Sequence, residues 1–205
     1  AGNSRENRLS PFAPDPVTDG TSEAVYIRDD ASGSVWCPTP GPVRRRPAER
    51  VVVHHRPGVS RFERRDHGLS QTLDLFVDDH DQVKFSLLSL TNESAEPRRL
   101  SVFLYVQLVL GPPRDGQERY VVTTLDADTE TILARNPYRE QDGRSVAFIA
   151  ASAPIVSATG NRRDFIGRNG SLASPAGVRA PALDGRFGGG QDPCAALQIS
   201  VTVPA

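Results

Sequence analysis

Two polar stretches of the sequence carry the side chains best suited to binding chemistry. They are NSRENRLSPF, residues 3–12, and TGNRRDFIGRNGSL, residues 159–172, and both combine arginine and asparagine with a phenylalanine. Arginine and asparagine present forked donors and acceptors that match sugar hydroxyls and phosphate oxygens. The same composition is also typical of solvated loops, and of internal arginine–carboxylate networks that hold a long loop. The pattern therefore indicates two candidate binding segments without choosing between these roles.

No other set of reactive side chains has a spacing that predicts a catalytic or metal site. His54 and His55 are adjacent, so on a strand they face opposite sides. The other histidines lie in predicted turns, and no spacing matches a metal motif. There is no G-x-S-x-G elbow, and the glycines at 167–170 and 188–190 lack the context of a nucleotide-binding loop. No acidic pair stands out for glycoside hydrolysis. We therefore predict no catalytic residue, no metal and no cofactor.

The candidate segments need a scaffold, and the clearest signal for one is VKFSLLSLTNESAEPRRLSVFLYVQLVL, residues 83–110. The even-numbered residues from 100 to 110 are all apolar, and Phe103 and Tyr105 add apolar surface on the opposite face. A strand that is apolar on both faces is usually central in a covered sheet. Residues 91–98 are rich in turn-favouring types. We therefore predict a β-hairpin that forms the core of a β-sandwich.

Further strands are predicted at short intervals from alternating apolar residues and intervening turn signals. They cover residues 24–28, 34–37, 50–55, 60–64, 69–77, 120–125, 131–135, 145–152 and 195–203. Residues 1–22 are rich in proline and residues 157–192 show little periodicity, so both are predicted to be long loops, the second with a short helical turn or strand at 164–167. Residues 1–205 are therefore predicted to form a single large antiparallel all-β sandwich, with Trp36 in its core.

Composition excludes several classes of partner. The chain has 24 Lys and Arg against 25 Asp and Glu, so its net charge of −1 gives no electrostatic case for nucleic-acid binding. No apolar run approaches the roughly 20 residues of a membrane helix, which predicts no direct membrane insertion. No signal peptide is recognisable. Two cysteines in a chain of 205 residues do not demand a disulfide framework, so Cys37 and Cys194 are predicted to be buried free thiols.

A series of short motifs, in order along the chain, carries a resemblance to a known family. The motifs are NSRENRLSPF, DPVTD, EAVYIRDDASGSVWCPTP, SRFER, VKFSLLSLTNESAEPRRLSVFLYVQLVLG, TILARNPY, FIGRNGSL and DPCAALQ. Over nearly its whole length the chain resembles the N-terminal β-sandwich domain, of super-sandwich type, of family 94 glycoside hydrolases, the inverting disaccharide and oligosaccharide phosphorylases. SRENRL and DPCAALQ are most similar to the phosphorylase-like region of cyclic β-1,2-glucan synthases.

The resemblance implies a domain that supports catalysis without breaking bonds. In the family, phosphate attacks the anomeric carbon in an (α/α)6 barrel that carries the general acid, and that barrel is absent here. The chain, which resembles a super-sandwich truncated at its N-terminal end, is therefore expected to be inactive alone. The implied partners are the catalytic barrel and, through a parent enzyme, β-glucan oligosaccharide and inorganic phosphate, with homodimerisation left open. The implied location is cytoplasmic, with attachment of the parent to the bacterial inner membrane left open.

The resemblance also implies which residues help shape the substrate pocket. Arg5, Asn7 and Arg8 match the family's first loop, and Arg168 and Asn169 match its GRNG segment, so these five are the candidate substrate-binding residues. The alternative for all five is hydrogen bonding within the fold. Two other functions stay open. An independent carbohydrate-binding module would need exposed aromatic platforms, although aromatic residues make up only 6% of the chain. A structural dimerisation domain would bind no sugar.

Overall fold

The computed structural model describes residues 8–12, 17, 20–43, 50–111, 116–138 and 145–205. The strands are β1 Glu23–Asp29, β2 Val35–Trp36, β3 Val51–Arg56, β4 Val59–Asp66, β5 Leu69–Val77, β6 Lys84–Asn92, β7 Arg98–Gln107, β8 Val122–Asp126, β9 Thr131–Arg135, β10 Ala147–Ile149, β11 Ile155–Asn161 and β12 Pro193–Val203. Short helices are α1 Arg162–Ile166, α2 Ala176–Arg179 and a 3-10 turn at Gln117–Tyr120. The predicted antiparallel all-β class is therefore confirmed. No helix in the described ranges has the length and apolar character needed to cross a bilayer.

The described strands form three antiparallel sheets. The largest has the order β11-β12-β7-β1-β2, and the others have the orders β3-β4-β5-β6 and β10-β9-β8. Strand β7 lies at the centre of the largest sheet, paired with β1 on one side and β12 on the other. Its residues Phe103 and Tyr105 are completely buried, as are Leu100 and Ser101 nearby. The prediction that this strand is central and covered on both faces is confirmed.

The predicted hairpin of residues 83–110 is wrong. Strand β6 pairs with β5 at the edge of the four-stranded sheet, whereas β7 belongs to the largest sheet. The connection between them therefore carries the chain from one sheet to the other, and Glu93 ties it to the β4–β5 turn through a hydrogen bond from its backbone nitrogen to Gly68 O of 2.9 Å. Alternation indicates a strand but not its partner, and β6, with Phe85 and Leu87 exposed, lacks the two buried faces of a central strand.

The region expected as one long loop, residues 157–192, contains regular structure. Strand β11 enters it from Ile155 and pairs with β12, but its register shifts twice, between Ile155 and Ser157 and again between Thr159 and Asn161. Bulges of this kind interrupt the period-two pattern, which explains why the sequence did not reveal the strand. Helix α1 agrees with the predicted turn at 164–167. The strand predicted at 145–152 is shorter, Ala147–Ile149.

The largest sheet buries apolar side chains on both faces. One face, with Tyr26, Phe103 and Tyr105, is covered by Phe165 and Val178 of the two helices. The opposite face packs against the other two sheets, and these residues include Ile27, Trp36, Leu69, Val106, Ile132 and Leu197. Trp36 is in the core as predicted, and its indole nitrogen donates to Gln71 Oε1 at 2.8 Å. Cys37 and Cys194 are free and buried, also as predicted, and burial raises the pKa of Cys37 to about 12.

Asp29, at the end of β1, makes the stability of this sheet depend on pH. Its Oδ1 accepts hydrogen bonds from the backbone nitrogens of Ala31 at 2.9 Å and Ser32 at 3.2 Å, and its other oxygen pairs with Arg98. Burial favours the neutral acid, but the bonds from Arg98, Ser32 and Ala31 outweigh it and hold the pKa of Asp29 below its ordinary value. Such a group contributes stability above the unfolded-state pKa of about 4, and that contribution is lost as pH falls through the folded-state pKa.

We expect Asp29→Asn to lower the free energy of unfolding by about 1–2 kcal/mol at neutral pH. The difference from the unmodified chain should shrink as the pH falls below about 4, because both forms are then uncharged at this position. Urea denaturation over a series of pH values measures it. Asp79→Asn, at an exposed carboxylate 3.7 Å from His80, is the control and should change little. A difference that is equal at all pH values would contradict the role assigned to the Asp29 carboxylate.

Candidate functional site

Helix α1 places the second candidate segment against the largest sheet. The side chain of Asn161 caps the helix by accepting a hydrogen bond from the backbone nitrogen of Arg163 at 3.1 Å. Phe165 is fully buried and stacks on Tyr105 with ring centroids 4.8 Å apart. The helix ends at Gly167, whose φ of 89° belongs to the left-handed region. Helix α1, which leads into the GRNG segment, is thus held by a side-chain cap at its start and by a core aromatic contact near its end.

At three of the four GRNG positions, the structure explains why glycine or asparagine is present. A Cβ on Gly167 would lie 2.8 Å from Ala176 Cβ, and a Cβ on Gly170 would lie 2.2 Å from the Ile166 carbonyl oxygen. Asn169 has φ 58°, a left-handed conformation that asparagine tolerates better than most residues. Arg168 is exposed and has no such constraint. Its side chain is therefore the part of this motif that is available to a ligand.

Arg168 lines an open cavity of about 710 Å³ at this end of the domain. The lining residues are Arg163, Asp164, Gly167, Arg168, Asp184 and Arg186, and we call this space the arginine cavity. Arg186 lies 3.4 Å from a carboxylate oxygen of each aspartate. In the described part of the chain, the Arg163 and Arg168 guanidinium groups make no ion pair, so two forked cations remain open to solvent. Guanidinium groups in this state suit phosphate and clustered sugar hydroxyls.

The two carboxyl groups of the arginine cavity influence each other. Hydrogen bonding with Asp184, together with burial, raises the pKa of Asp164. Burial acts in the same direction on Asp184, but hydrogen bonds with Thr159 and Asp164 lower its pKa overall. Asp164 also accepts a hydrogen bond from Asn161 Nδ2 at 2.8 Å. Acidification therefore adds a proton to Asp164 first, and the cavity becomes more positive as the pH falls.

Arg162, beside these residues in sequence, has a different role. Its Nε donates to the hydroxyl of Tyr105 at 3.1 Å, and its Nη1 pairs with Asp192 Oδ2 at 3.0 Å. These bonds join α1 to the largest sheet and to the segment before β12. Arg162 is therefore an internal structural arginine, which was the alternative open for every arginine of this stretch. The sequence NRRDFIGR offers no signal that separates it from Arg163 and Arg168.

Of the three candidate residues in the first segment, the structure describes Arg8, whereas Arg5 and Asn7 lie outside the described residues. Arg8 is exposed with φ 53°, and its carbonyl accepts a hydrogen bond from Gly111 N at 3.1 Å. This bond places it just beyond the end of β7. Because the last residue of β7 pairs with Cys194 near the start of β12, and Asn161 pairs with Pro193, Arg8 and helix α1 lie at the same end of the largest sheet. Arg8 of the first predicted segment and helix α1 of the second are thus brought to one end of the domain.

The sequence did not indicate two features of this end. Asp184 and Arg186 reach the arginine cavity from a loop that shows no motif of its own. Tyr120 and Tyr138 stack with ring centroids 4.4 Å apart although 17 residues separate them, and no local pattern indicates such a pair. Among the described residues no group of three or more His, Cys, Asp or Glu side chains is arranged to hold a metal ion.

Comparison with known proteins gives one matching family and several similar proteins. The profile of the glycosyl hydrolase 94 supersandwich domain matches residues 1–205. The chain is 34% identical over 204 residues to the cyclic beta-(1,2)-glucan synthase NdvB of Rhizobium meliloti (strain 1021), covering 99% of this chain and 7% of that protein. It is 29% identical over 191 residues to solabiose phosphorylase of Paenibacillus borealis, covering 90% and 24%. With N,N'-diacetylchitobiose phosphorylase of Vibrio furnissii the identity is 25% over 177 residues, covering 84% and 22%.

Proposed function

The chain belongs to the family of glycosyl hydrolase 94 supersandwich domains, and on that premise we propose that it is the non-catalytic sandwich domain of a larger glycoside phosphorylase or cyclic β-1,2-glucan synthase. In this role it packs on a catalytic barrel and presents the arginine cavity to the substrate. The chain spans less than a quarter of the length of each relative described above, which leaves ample sequence in such enzymes for a separate catalytic domain.

The exposure of the Arg168 side chain is the observation that carries this proposal. The two glycines and Asn169 of the GRNG turn meet backbone constraints, while Arg168 is exposed and lines the same cavity as Arg163. The arginine cavity has three guanidinium groups and two carboxyl groups, so it keeps an excess of positive charge that a purely structural loop does not need. A phosphate would balance this excess charge, guanidinium groups also donate hydrogen bonds to sugar hydroxyls, and Asp184 supplies an acceptor for hydroxyl groups.

Other observations support the remaining parts of the proposal. Phe85 and Leu87 are exposed on the edge strand β6, and apolar surface of this kind supports packing against the rest of a parent enzyme. The two free, buried thiols are consistent with a reducing compartment, so the proposal includes a cytoplasmic location. The substrate class in the proposal is β-1,2-glucan with inorganic phosphate as co-substrate, since the glucan synthase is 34% identical over 99% of the chain.

A carbohydrate-binding role of the isolated domain has one observation in its favour. The exposed aromatic platform that such a module requires exists at Tyr120 and Tyr138, despite the low aromatic content. This platform lies outside the arginine cavity.

Replacing Arg168 by alanine in the full-length parent enzyme tests the proposal. We expect kcat/KM for phosphorolysis of β-1,2-gluco-oligosaccharides to fall about tenfold or more, which corresponds to the loss of one charge-assisted hydrogen bond to the substrate. The thermal unfolding temperature should stay unchanged because the side chain is exposed. Steady-state kinetics at varied oligosaccharide and phosphate concentrations show which of the two ligands Arg168 contacts.

Arg179→Ala is the matched control for this experiment. Arg179 is an exposed arginine on α2 that does not line the arginine cavity. Its removal should leave the kinetic constants unchanged. If the Arg168 and Arg179 variants behave alike, the arginine cavity is not part of the substrate pocket and the proposed function fails at this point.

A further inference from the structure

A second cavity, of about 530 Å³, lies beside the stacked tyrosine pair. We call it the tyrosine groove, and it is lined by Arg119, Tyr120, Val122, Pro137, Tyr138, Gly189 and Gly190. The two tyrosine rings are nearly parallel, with an angle of 12° between their planes, and the residues are 41% and 60% exposed. Its volume falls within the roughly 300–1,000 Å³ of small-ligand sites.

The rings of the tyrosine groove are held in place by the backbone around them. Tyr120 ends the 3-10 turn, and the next residue, Val121, is buried in the core and anchors it. Tyr138 follows Asn136, whose Oδ1 accepts a hydrogen bond from the Tyr138 backbone nitrogen at 3.3 Å and whose Nδ2 donates to the Leu110 carbonyl at 3.2 Å. Both aromatic residues are thus presented by fixed turns, so little ordering is needed when a ligand binds.

The fold itself does not require aromatic side chains at these two positions. The chain has four tyrosines, and Tyr26 and Tyr105 are completely buried in the core. Tyr120 and Tyr138 instead expose much of their surface. A residue of another type at position 120 would leave the buried anchor Val121 unchanged. Stacking two tyrosines at the surface therefore points to a ligand that uses aromatic faces.

We propose that the tyrosine groove is a second saccharide-binding site, which takes neutral glucose residues of a β-glucan chain. Aromatic ring faces pack against the apolar C–H faces of pyranose rings, while the phenol hydroxyls and the Arg119 guanidinium donate hydrogen bonds to sugar hydroxyls. Gly189 and Gly190 add no side chain, which leaves a flat wall that a sugar ring can approach closely. The described lining has one cation and no carboxylate, and a chain of net charge −1 does not favour a polyanion such as nucleic acid.

The tyrosine groove and the arginine cavity are joined by one short segment. Arg186 lines the arginine cavity and Gly189 lines the tyrosine groove, and three residues span at most about 10 Å of extended chain. The segment is tied to the sheets on both sides, with Gly160 N donating to Arg186 O at 2.7 Å and Thr123 N donating to Gly188 O at 3.2 Å. A ligand that occupies both cavities has to span the segment between them. This length favours an oligosaccharide over a single small molecule. The ligand class rests on the proposed function, whereas the site does not.

Titration of this chain with the disaccharide sophorose and with longer β-1,2-linked gluco-oligosaccharides tests the inference. We expect the longer ligands to bind, and Tyr120→Ala and Tyr138→Ala each to weaken that binding about tenfold. Tyr138→Phe, which keeps the ring, should retain most of the affinity. Phe148→Ala removes an exposed aromatic residue outside the groove and is the matched control, with no expected effect. Thermal unfolding of each variant confirms that it is folded.

The outcomes separate this inference from the proposed function. Undiminished binding by both tyrosine-to-alanine variants would overturn the second site. Loss of binding with Arg168→Ala but not with Tyr138→Ala would do the same, while placing the sugar in the arginine cavity. If the unmodified chain binds none of the oligosaccharides, the second site is also overturned, because all of its described wall is present in this chain. The proposed function would survive that last result, since its test uses the complete enzyme.

Discussion

Phe165→Ala is expected to lower the free energy of unfolding by about 3–5 kcal/mol, the range found when a large aromatic residue is removed from a protein core. Phe165 is fully buried, and its ring contacts both Tyr105, at a centroid distance of 4.8 Å, and Tyr26, at 6.0 Å. Together with the hydrogen bond from Arg162 to Tyr105, it attaches the five-residue helix α1 to the largest sheet. A helix this short has no stability of its own, so the loss of its anchor also releases Arg168 from its position. Equilibrium denaturation in urea measures the change.

Phe148→Ala is the matched control for the Phe165 variant. Phe148 lies in β10 and is 51% exposed, so its removal opens no cavity and should cost less than about 1 kcal/mol. Phe165→Leu, which keeps apolar volume, should recover part of the loss. If Phe165→Ala were no more damaging than Phe148→Ala, helix α1 would not be anchored in the core, and the argument that the fold positions Arg168 would fail.

The sequence predicts strands well where alternation is simple. Strands β5 and β9 have the predicted bounds, Leu69–Val77 and Thr131–Arg135. Strand β11 was missed because two register shifts break its alternation. The pairing of β6 with β7 was predicted wrongly because hydrophobic periodicity is a local property, while the choice of sheet depends on contacts with β1, β5 and β12. Local patterns thus give the elements, and long-range packing decides how they are arranged.

The candidate site also combines features that the sequence indicates with features that only the fold determines. The resemblance implied a substrate-binding role for both Arg168 and Asn169. The left-handed backbone at Asn169 and the exposed side chain of Arg168 instead indicate different roles. Arg163, Asp184 and Arg186 were not singled out, because only the fold brings the 184–186 loop beside helix α1. Tyr120 and Tyr138 could not be paired from sequence either, since their contact depends on the pairing of β8 with β9.

Gly160→Ala is expected to destabilise the domain by about 2–4 kcal/mol, because a methyl group at this position has no space. A Cβ on Gly160 would lie 2.1 Å from Thr123 Oγ1 and 3.0 Å from Phe187 Cδ1. Thr123 is buried and holds the segment that joins the two cavities, through its backbone nitrogen and Gly188 O. Displacement of Thr123 therefore disturbs the tyrosine groove and the arginine cavity together. Urea denaturation gives the stability, and oligosaccharide titration gives the effect on binding.

A double-mutant cycle with Thr123→Ala identifies the cause of that destabilisation. Removing the Thr123 hydroxyl eliminates the shortest contact of the new methyl group, so the double variant should be more stable than the sum of the single changes predicts, by about 1–2 kcal/mol. Additive costs would mean that Gly160→Ala acts through another contact, such as the one with Phe187 Cδ1. The close approach of β11 to β8 would then not be the constraint that keeps glycine at this position. A favourable coupling energy instead identifies this approach as the contact that keeps the joining segment, and with it both cavities, in a fixed relation.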